Sequence, residues 1–434
     1  MIEKAPAINL TKDSFELLMS PECQEAFQKV EKDYLYWDKA KYHLPKNIDP
    51  QKFWAAIELS RFGEPVVFNK TIFYCKTTTY MQQFLHEFDM NFGGTIMAAD
   101  TISSKNKHYY LLSSIMEEAI ASSQMEGANT TRRVAKDMLR KQAKPKNKDQ
   151  QMIVNNYNTI RYLSEHKNED LTPELVLEIH RRISEDTLEN HEDEGRFRQD
   201  DNIVVMDELH DEIAHVPPTY SSIEQYIKEL CDFANNDEKF IHPIVKAIII
   251  HFMISYVHPF VDGNGRTARS LFYWYMLKKG YWLTEFLSIS RIIYKSKGQY
   301  EKAFLYVESD NLNLGYFINY NLNVLQKAFD ELKVYLNRKA QEEEALLEFR
   351  NIKGLNDRQS QIIKMALKKP NTVFLSKDLY QLLGASVKTI RSDLSGLVEL
   401  GLFEVIPINQ RLMGYGRVKN FEKKLEEIRE NRGN

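Results

Sequence analysis

Apolar residues recur at helical spacing through most of the chain. Between Tyr109 and Ala340, long amphipathic runs are separated by short polar breaks, which is typical of packed helices. The predicted helices cover residues 109–126, 130–142, 148–166, 172–186, 221–235, 243–257, 265–279, 298–308 and 313–340. The β-like interruption is Ile203-Val204-Val205-Met206. The pattern therefore predicts a mainly helical core with one short extended segment.

The first hundred residues mix helical stretches with a strand-like pair. Pro65 to Phe68 and Thr71 to Tyr74 are rich in β-branched and aromatic residues, and Asn69-Lys70 joins them. We expect a small α+β lead-in domain over residues 1–105, with helices near 24–37 and 50–61 and no motif that carries chemistry.

The pattern changes again beyond a predicted helical linker at 341–354. Three helices and then two strands are predicted, followed by a charged tail at 421–434. These elements are Gln359 to Leu367, Ser376 to Leu383 with Ser376 as N-cap, Val387 to Leu400, Gly401 to Ile406 and Arg411 to Val418. This order is typical of a winged helix-turn-helix, here over 355–420.

The overall charge gives no reason to bind polyanions, but the C-terminal part differs. The chain has 58 Lys and Arg against 61 Asp and Glu, a net charge of −3. Residues 355–420 carry ten basic and five acidic residues, a local charge of +5. DNA contact is therefore expected, if anywhere, at Lys388, Thr389 and Arg391 of the predicted recognition helix. A protein-binding role for this helix-turn-helix remains open.

The cysteines and the apolar runs argue against a disulfide-rich, zinc-binding, secreted or membrane-spanning protein. Cys23, Cys75 and Cys231 are odd in number and widely spaced, which favours neither a disulfide framework nor a zinc site. The N-terminus lacks a signal-peptide pattern, and the apolar run Ile244 to Val257 is shorter than the ~18 residues of a membrane span. We therefore expect a cytoplasmic protein without a membrane partner; a homo-oligomer stays open.

The segment from His258 to Arg269 carries the strongest chemical signal. It follows a helix that is apolar on nearly every face, and Pro259 ends that helix with His258 at its C-terminal end, facing outward. Asp262-Gly263-Asn264-Gly265 then predicts a tight turn before a new helix. Glycines before a helix allow backbone N–H groups to converge on an anion.

Charged residues of the same segment suit a polyphosphate. Arg266 and Arg269 are three residues apart at a helix N-terminus, where cations are unfavourable unless an anion is bound. Asp262 could hold a hard cation such as Mg²⁺, which bridges phosphate oxygens. His258 is the natural proton acceptor.

This string resembles the signature of the Fic family, His-x-Phe-x-(Asp/Glu)-Gly-Asn-Gly-Arg-x-x-Arg. All eight specified positions match: His258, Phe260, Asp262, Gly263, Asn264, Gly265, Arg266 and Arg269. The resemblance implies a helical Fic core that transfers the AMP moiety of ATP, as a protein adenylyltransferase, to a Ser, Thr or Tyr hydroxyl of a target protein.

The resemblance also implies a role for each matching residue. His258 would deprotonate the hydroxyl, and Asp262 would bind Mg²⁺. Asn264 with the Gly263 and Gly265 backbone would hold the α- and β-phosphates. Arg266 would bind the β-phosphate side, Arg269 would bind the γ-phosphate, and Phe260 would anchor the loop.

Two further segments resemble Fic motifs. Ser122-Ser-Gln-Met-Glu126-Gly127 is similar to the inhibitory helix motif, (Ser/Thr)-x-x-x-Glu-(Gly/Asn), which implies that Glu126 restrains the enzyme by pairing with Arg269. An exposed Glu before a glycine C-cap is the plainer interpretation. Glu194 to Arg198, followed by Ile203, Val204, Val205 and Met206, resembles the target-docking flap; a plain surface hairpin is the alternative.

Two other functions stay open at this point. Glu126 could orient a water molecule that removes AMP from a modified side chain, the reverse reaction. Alternatively, the chain could be a DNA-binding regulator in which the Fic core senses a nucleotide. The target protein and the nucleotide donor are not defined by the sequence.

Overall fold

The computed structural model describes residues 2–93, 104–207, 212–350, 355–370, 372–408 and 412–432, and every structural statement below concerns these. The chain divides into two units, Met1–Leu332 and Lys333–Asn434. As predicted, helices dominate, and the sheets are small antiparallel hairpins. None of the described helices is both long and apolar enough to cross a membrane.

The lead-in region contains the predicted hairpin. Strands β1 (Glu64–Phe68) and β2 (Thr71–Cys75) pair through a two-residue turn in which Asn69 and Lys70 both have positive φ, 43° and 67°. This turn matches the right-handed twist of the strands. The helices of this region are α1 (Lys12–Met19), α2 (Pro21–Lys32), α3 (Trp37–Ala40), α4 (Pro50–Arg61) and α5 (Thr79–Phe88).

The lead-in elements belong to the same unit as the core helices. Tyr74 of β2 exchanges backbone hydrogen bonds with Leu312 and Leu314, at 3.1 and 2.9 Å. The buried guanidinium group of Arg61 lies 4.1 Å from the centre of the Tyr34 ring and donates to the Tyr316 hydroxyl at 2.9 Å. This arginine therefore joins α4 to Tyr34 and to Tyr316.

The core unit is built around two buried helices. All residues of α11 from Ile244 to Ile254 are buried, and so are all residues of α12 from Arg266 to Leu277. The core helices are α6 (Ser104–Met125), α7 (Arg132–Lys141), α8 (Lys148–Glu165), α9 (Pro173–Ser184), α10 (Ile223–Asn235), α11 (Pro243–Val257), α12 (Asn264–Lys278), α13 (Ile289–Lys295), α14 (Lys297–Ser309) and α15 (Gly315–Arg350). The loop between α11 and α12 is therefore held between two buried helices.

The extended segment is part of a hairpin. Strand β3 (Val205–Asp207) begins two residues later than predicted and pairs with β4 (Glu212–His215), with Met206 opposite Ile213. Ile203 and Val204 precede the strand rather than belonging to it. The sequence analysis did not predict β4, because a four-residue strand with one strongly apolar residue gives almost no alternation signal.

The second unit has the predicted order of elements. Helices α16 (Asp357–Lys368), α17 (Ser376–Leu383) and α18 (Val387–Glu399) precede strands β5 (Phe403–Pro407) and β6 (Met413–Arg417). Ile363, Ile390, Leu394 and Phe403 lie in its core. Arg411 of the predicted wing lies outside the described residues, and the winged-helix interpretation stays a prediction.

Two details of the second unit differ from expectation. Ser376 is not the N-cap of α17: it is the first helical residue, because Leu375 before it has the extended conformation of the cap position. The charged tail folds as helix α19 (Phe421–Arg432), since Phe421 and Leu425 give it one apolar side that is buried in the core of the unit.

Candidate functional site

The signature segment forms the loop between α11 and α12. His258 ends α11 in a left-handed conformation, with φ 48° and ψ 58°, and Gly263 precedes α12 with φ 84°. The side chain of Asn264 closes this loop: its Oδ1 accepts from the Phe260 N–H at 2.9 Å, and its Nδ2 donates to the Phe260 carbonyl at 2.8 Å. The side-chain amide of Asn264 thus holds the shape of the loop. The backbone of Asn264 forms the first residue of α12.

The sequence analysis expected His258 to face outward. In the structure His258 is instead partly buried and lines a cavity. Burial lowers its pKa to about 4, so the ring is neutral at physiological pH. Its Nδ1 lies 3.4 Å from the Ser255 carbonyl, a long contact in which the ring can only donate. This arrangement leaves the lone pair of Nε2 free to accept a proton.

Phe260 anchors the loop in the core, as expected. Its ring is fully buried between two others: His180 is stacked on it with 3.7 Å between ring centres and 1° between planes, and Phe197 lies at 5.5 Å. Phe197 belongs to the segment that resembles the beginning of the flap. The signature loop and that segment therefore pack directly against each other.

His180 is a site residue that the sequence analysis missed. It lies on the buried face of α9 with Ile179 and Ile183, and a single histidine on an apolar face gives no signal of its own. Burial lowers its pKa to about 4. The Gly195 N–H donates to its Nδ1 at 3.0 Å, and its Nε2 lies 2.9 Å from the Asp262 carbonyl.

Arg269 is engaged by the segment that resembles the inhibitory motif. Its Nη2 lies 2.8 Å from Glu126 Oε1 and 3.1 Å from the Ser122 carbonyl, while its Nε donates to Ser122 Oγ at 3.0 Å. The Arg269 side chain is 2% exposed and that of Glu126 is 25% exposed. Burial alone would lower the Arg269 pKa, but the Glu126 carboxylate, together with Tyr300 and Glu118, outweighs it and the pKa is raised.

Glu126 also lies against the N-terminus of α12. It follows the last residue of α6, and Gly127 beyond it has φ 92°. A methyl group on Gly265 would overlap the Glu126 carboxylate and come within 3.0 Å of Arg269 Nη1. The acidic side chain therefore lies beside Gly265 in the first turn of α12, where the helix dipole favours an anion.

Arg266 is directed to other partners than Arg269. It is fully buried, its Nη1 donates to the Ile183 carbonyl at 3.3 Å, and its Nη2 lies 3.3 Å from Asp262 Oδ1. Its Nε is a buried donor without a hydrogen-bond partner among the described residues. Arg266 and Arg269 therefore have different hydrogen-bond partners in this structure.

Asp262 offers a carboxylate for a cation beside the loop. Asp262 is half-exposed, and its Oδ1 accepts from the Gly263 N–H and faces Arg266. The described residues contain no cluster of three or more His, Cys, Asp or Glu that could hold a metal ion alone. One carboxylate fits a Mg²⁺ that keeps most of its waters and shares phosphate ligands.

A cavity of about 530 Å³ is lined by Glu126, His258, Gly265 and Arg269, whereas Asp262 and Arg266 are not among its lining residues. One side is formed by the end of α6 and the start of α12, another by the hairpin, and a third by α13 and α14. The lining includes Glu126, Val205, Met206, His215, His258, Gly265, Arg269, Tyr294, Tyr300, Phe304 and Glu308. Its size and its mixture of aromatic and charged groups suit a nucleotide.

The hairpin is fastened beside this cavity. His215 of β4 lies with Nε2 2.7 Å from the Tyr256 carbonyl and with Nδ1 2.8 Å from the Glu308 carboxylate. Met206 and Ile213 of the paired strands are exposed. The hairpin therefore presents an apolar surface next to His258.

The candidate DNA contacts lie in the second unit. Lys388 and Arg391 are exposed on α18, whereas Ile390 and Leu394 point into the core. Thr389 is partly exposed, and its N–H donates to Ser386 Oγ at 3.1 Å. These positions are consistent with a polar outer face of this helix.

Sequence comparison identifies the domain that contains this helical core and the loop between α11 and α12. Residues 170–276 match the Fic/DOC family, so the chain contains a Fic domain. The crystal structure of a Fic family protein from Desulfovibrio desulfuricans G20 has the same fold, with a TM-score of 0.53 and 18% identity, over 79% of this chain and 97% of that one.

Curated relatives match over the domain only. Protein adenylyltransferase Fic of Nematostella vectensis is 34% identical over 116 residues, 26% of this chain and 25% of that protein. The enzyme of the same name from Aedes aegypti is 32% identical over 118 residues, 26% and 21% of the two chains. The chain thus spans about a quarter or less of the length of these relatives.

Proposed function

We propose that this protein is an adenylyltransferase that moves AMP from ATP to a Ser, Thr or Tyr hydroxyl of a target protein. One observation carries the proposal: a neutral histidine, the N-terminus of a buried helix and a buried arginine meet in one nucleotide-sized cavity. The names of the curated relatives support the same reaction.

The chemistry needs a base and an in-line geometry. The target oxygen attacks the α-phosphorus, its proton passes to His258 Nε2, and the bond from the α-phosphorus to the bridging oxygen breaks to release pyrophosphate. The products are a phosphodiester-linked AMP and pyrophosphate. His258 suits this role because burial keeps it unprotonated at neutral pH.

The phosphates would bind at the start of α12. The backbone N–H groups of Gly263, Asn264 and Gly265 would hold the α- and β-phosphates, Arg266 would support the β-phosphate side, and Arg269 would hold the γ-phosphate. Asp262 would hold a Mg²⁺, which when bound neutralises charge on the phosphates.

We further propose that the protein is autoinhibited. The carboxylate of Glu126 forms an ion pair with Arg269 and lies against Gly265. Arg269 would therefore not be available to bind the γ-phosphate. ATP would then bind with its α-phosphate displaced from His258. A partly buried arginine–carboxylate pair is worth ~1–3 kcal/mol, which corresponds to roughly ten- to a hundredfold in competent binding.

The target would dock on the flap. Met206 and Ile213 lie exposed on the hairpin beside the cavity, and an extended target segment could pair with the edge of β3. Such pairing would place a hydroxyl residue opposite His258.

Labelled ATP tests the proposal. Wild type, Glu126→Gly and the double variant Glu126→Gly, His258→Ala are incubated with Mg²⁺, ATP labelled on the α-phosphate and candidate target proteins. We expect strong protein labelling by Glu126→Gly alone, and equal ATP binding by both variants. Equal labelling by the double variant would exclude His258 as the base.

A second candidate is the reverse reaction. Glu126 shares the cavity with His258, and its carboxylate is near enough to raise the His258 pKa slightly against the effect of burial. A water molecule held by Glu126 could displace AMP from a modified side chain. Release of AMP from a pre-labelled target by wild type, but not by Glu126→Gly, would favour this direction.

A nucleotide-sensing DNA regulator is the third candidate, carried by the exposed Lys388 and Arg391 and by the local charge of +5. A pure sensor needs no base, so His258→Ala would leave its nucleotide-dependent DNA binding intact. In contrast, the adenylyltransferase proposal requires that His258→Ala abolishes protein labelling.

A further inference from the structure

We infer that His180 is a positioning residue for the transfer reaction, which holds the signature loop and the flap-base segment (Gly195 to Arg198) in one fixed arrangement. This inference rests on the proposed function. His180 lies outside the signature, and it acts through the backbone of Asp262 and the ring of Phe260 rather than on the reacting atoms.

The two ring nitrogens of His180 connect two separate segments. The Gly195 N–H can only donate, so Nδ1 accepts, and Nε2 carries the proton that is donated to the Asp262 carbonyl. The neutral ring therefore has one tautomer with a partner at each end. Asp262 and Gly195 are 67 residues apart in sequence, and this side chain joins them directly.

The face of the ring fixes the loop as well. His180 lies flat on Phe260, at 3.7 Å between ring centres, while Phe197 of the flap-base segment packs against Phe260 from a second direction. A methyl group on Gly263 would come within 3.3 Å of His180 Nε2. The imidazole ring of His180 thus fixes the position of the backbone just before α12.

The flap-base segment carries this arrangement to His258. The Arg198 N–H donates to the Pro259 carbonyl at 2.9 Å, and Arg198 Nε donates to the His258 carbonyl at 3.0 Å. Arg198 is itself buried. The order of contacts His180, Gly195, Arg198, His258 therefore connects a residue of α9 to the proposed base.

Three substitutions separate the contacts. His180→Phe keeps an aromatic ring for the stack and removes both hydrogen bonds. His180→Asn keeps an amide oxygen near the position of Nδ1, as an acceptor for Gly195. His180→Gln keeps an amide nitrogen near the position of Nε2, as a donor to Asp262. Each is made in the Glu126→Gly background, where transfer is fast.

We expect His180→Phe to lower kcat for AMP transfer about ten- to a hundredfold, since small misplacements of reacting groups have effects of that size. KM for ATP should change less than threefold. Asn and Gln should each recover part of kcat. His166→Phe is the control, because His166 also stacks on an aromatic ring and lies 2.8 Å from a backbone carbonyl, both belonging to Tyr162.

Backbone hydrogen exchange tests the inference independently of activity. In His180→Phe, exchange should speed up at Gly195 and across Val261 to Gly263, while the His166→Phe control shows no such change. If Glu126→Gly transfers no AMP at all, the proposed function fails, and exchange alone decides the inference. Unchanged exchange at both segments, or kcat within twofold of the parent, would overturn it.

Discussion

At the scale of single residues, the protonation state of His258 decides whether the site can begin a transfer. Burial favours the neutral ring, and the contact of Nδ1 with the Ser255 carbonyl directs Nε2 to the cavity. Arg269 and Glu126 decide instead whether the phosphates can be placed. The base and the restraint are therefore separate residues that can be tested separately.

The His258 pKa gives a testable pH dependence. A histidine with a lowered pKa stays a base to lower pH, so kcat/KM of Glu126→Gly should stay level down to about pH 5 and fall only as the pH approaches about 4. The measurement is initial labelling rates between pH 4.5 and 8, with recovery at pH 7 as a control for unfolding. A fall centred at pH 6.5 or above would contradict a buried base.

The proposed role of Asp262 leads us to expect that AMP transfer requires a divalent cation. With excess chelator, Glu126→Gly should transfer no detectable AMP, since the charge of the leaving pyrophosphate is then not neutralised. Asp262→Asn should need at least tenfold more Mg²⁺ for half-maximal rate, because it replaces the charged ligand. Asp186→Asn, a change of the same kind at an exposed turn, is the control. Full activity in chelator would remove this role from Asp262.

At the scale of elements, the loop between α11 and α12 depends on bonds made inside it and by its neighbours. Asn264 closes it from within, and His180 and Arg198 hold it from outside. The buried helices on both sides leave the loop little freedom to adjust. A change in one of these contacts should therefore affect chemistry more than nucleotide binding.

Asn264→Ala tests the internal closure. It removes two hydrogen bonds from the Phe260 backbone and should cost about 1–3 kcal/mol in the free energy of unfolding. Transfer by the Glu126→Gly background should fall at least tenfold. Asn321→Ala is matched, since Asn321 is a buried amide that donates to the Phe317 carbonyl. Thermal melting should show that both variants are destabilised, and labelling should show that only Asn321→Ala retains transfer.

Strong local patterns were predictable at this scale, and contacts between distant segments were not. The turn Asn69-Lys70 and the break at Pro259 follow from local backbone preferences, and the structure confirms both. His180 and β4 depend on partners far along the chain, so no local periodicity marks them. The contact of Arg266 with the Ile183 carbonyl of α9 also joins distant parts of the chain, so no local pattern predicts it.

At the scale of the whole molecule, charge is distributed unevenly along the chain. The net charge is −3, while residues 355–420 carry +5. Helix α18 exposes Lys388 and Arg391, and the proposed reaction uses residues of the first unit alone. Nucleic-acid binding and AMP transfer should therefore respond to different substitutions.

The double change Lys388→Glu, Arg391→Glu tests that separation in the full chain. If α18 contacts DNA, the double change should weaken duplex binding at least tenfold. It should also reduce the number of counterions released on binding, measured from the salt dependence of the affinity, by about one to two. AMP transfer by Glu126→Gly should be unchanged. Lys144→Glu, Lys146→Glu, the same charge change at exposed positions of the first unit, is the control. Equal DNA binding by both pairs would exclude α18 as the contact.

The central claim is that the Glu126–Arg269 pair restrains an adenylyltransferase. The most direct measurement compares initial rates of protein labelling from ATP for wild type, Glu126→Gly, Arg269→Ala and Glu126→Gly, Arg269→Ala. The pair geometry predicts that Glu126→Gly is roughly ten- to a hundredfold faster than wild type. Neither protein with Arg269→Ala should be activated, because Arg269 serves both the restraint and the γ-phosphate. A Glu126→Gly rate equal to wild type, or full activation without Arg269, would contradict the claim.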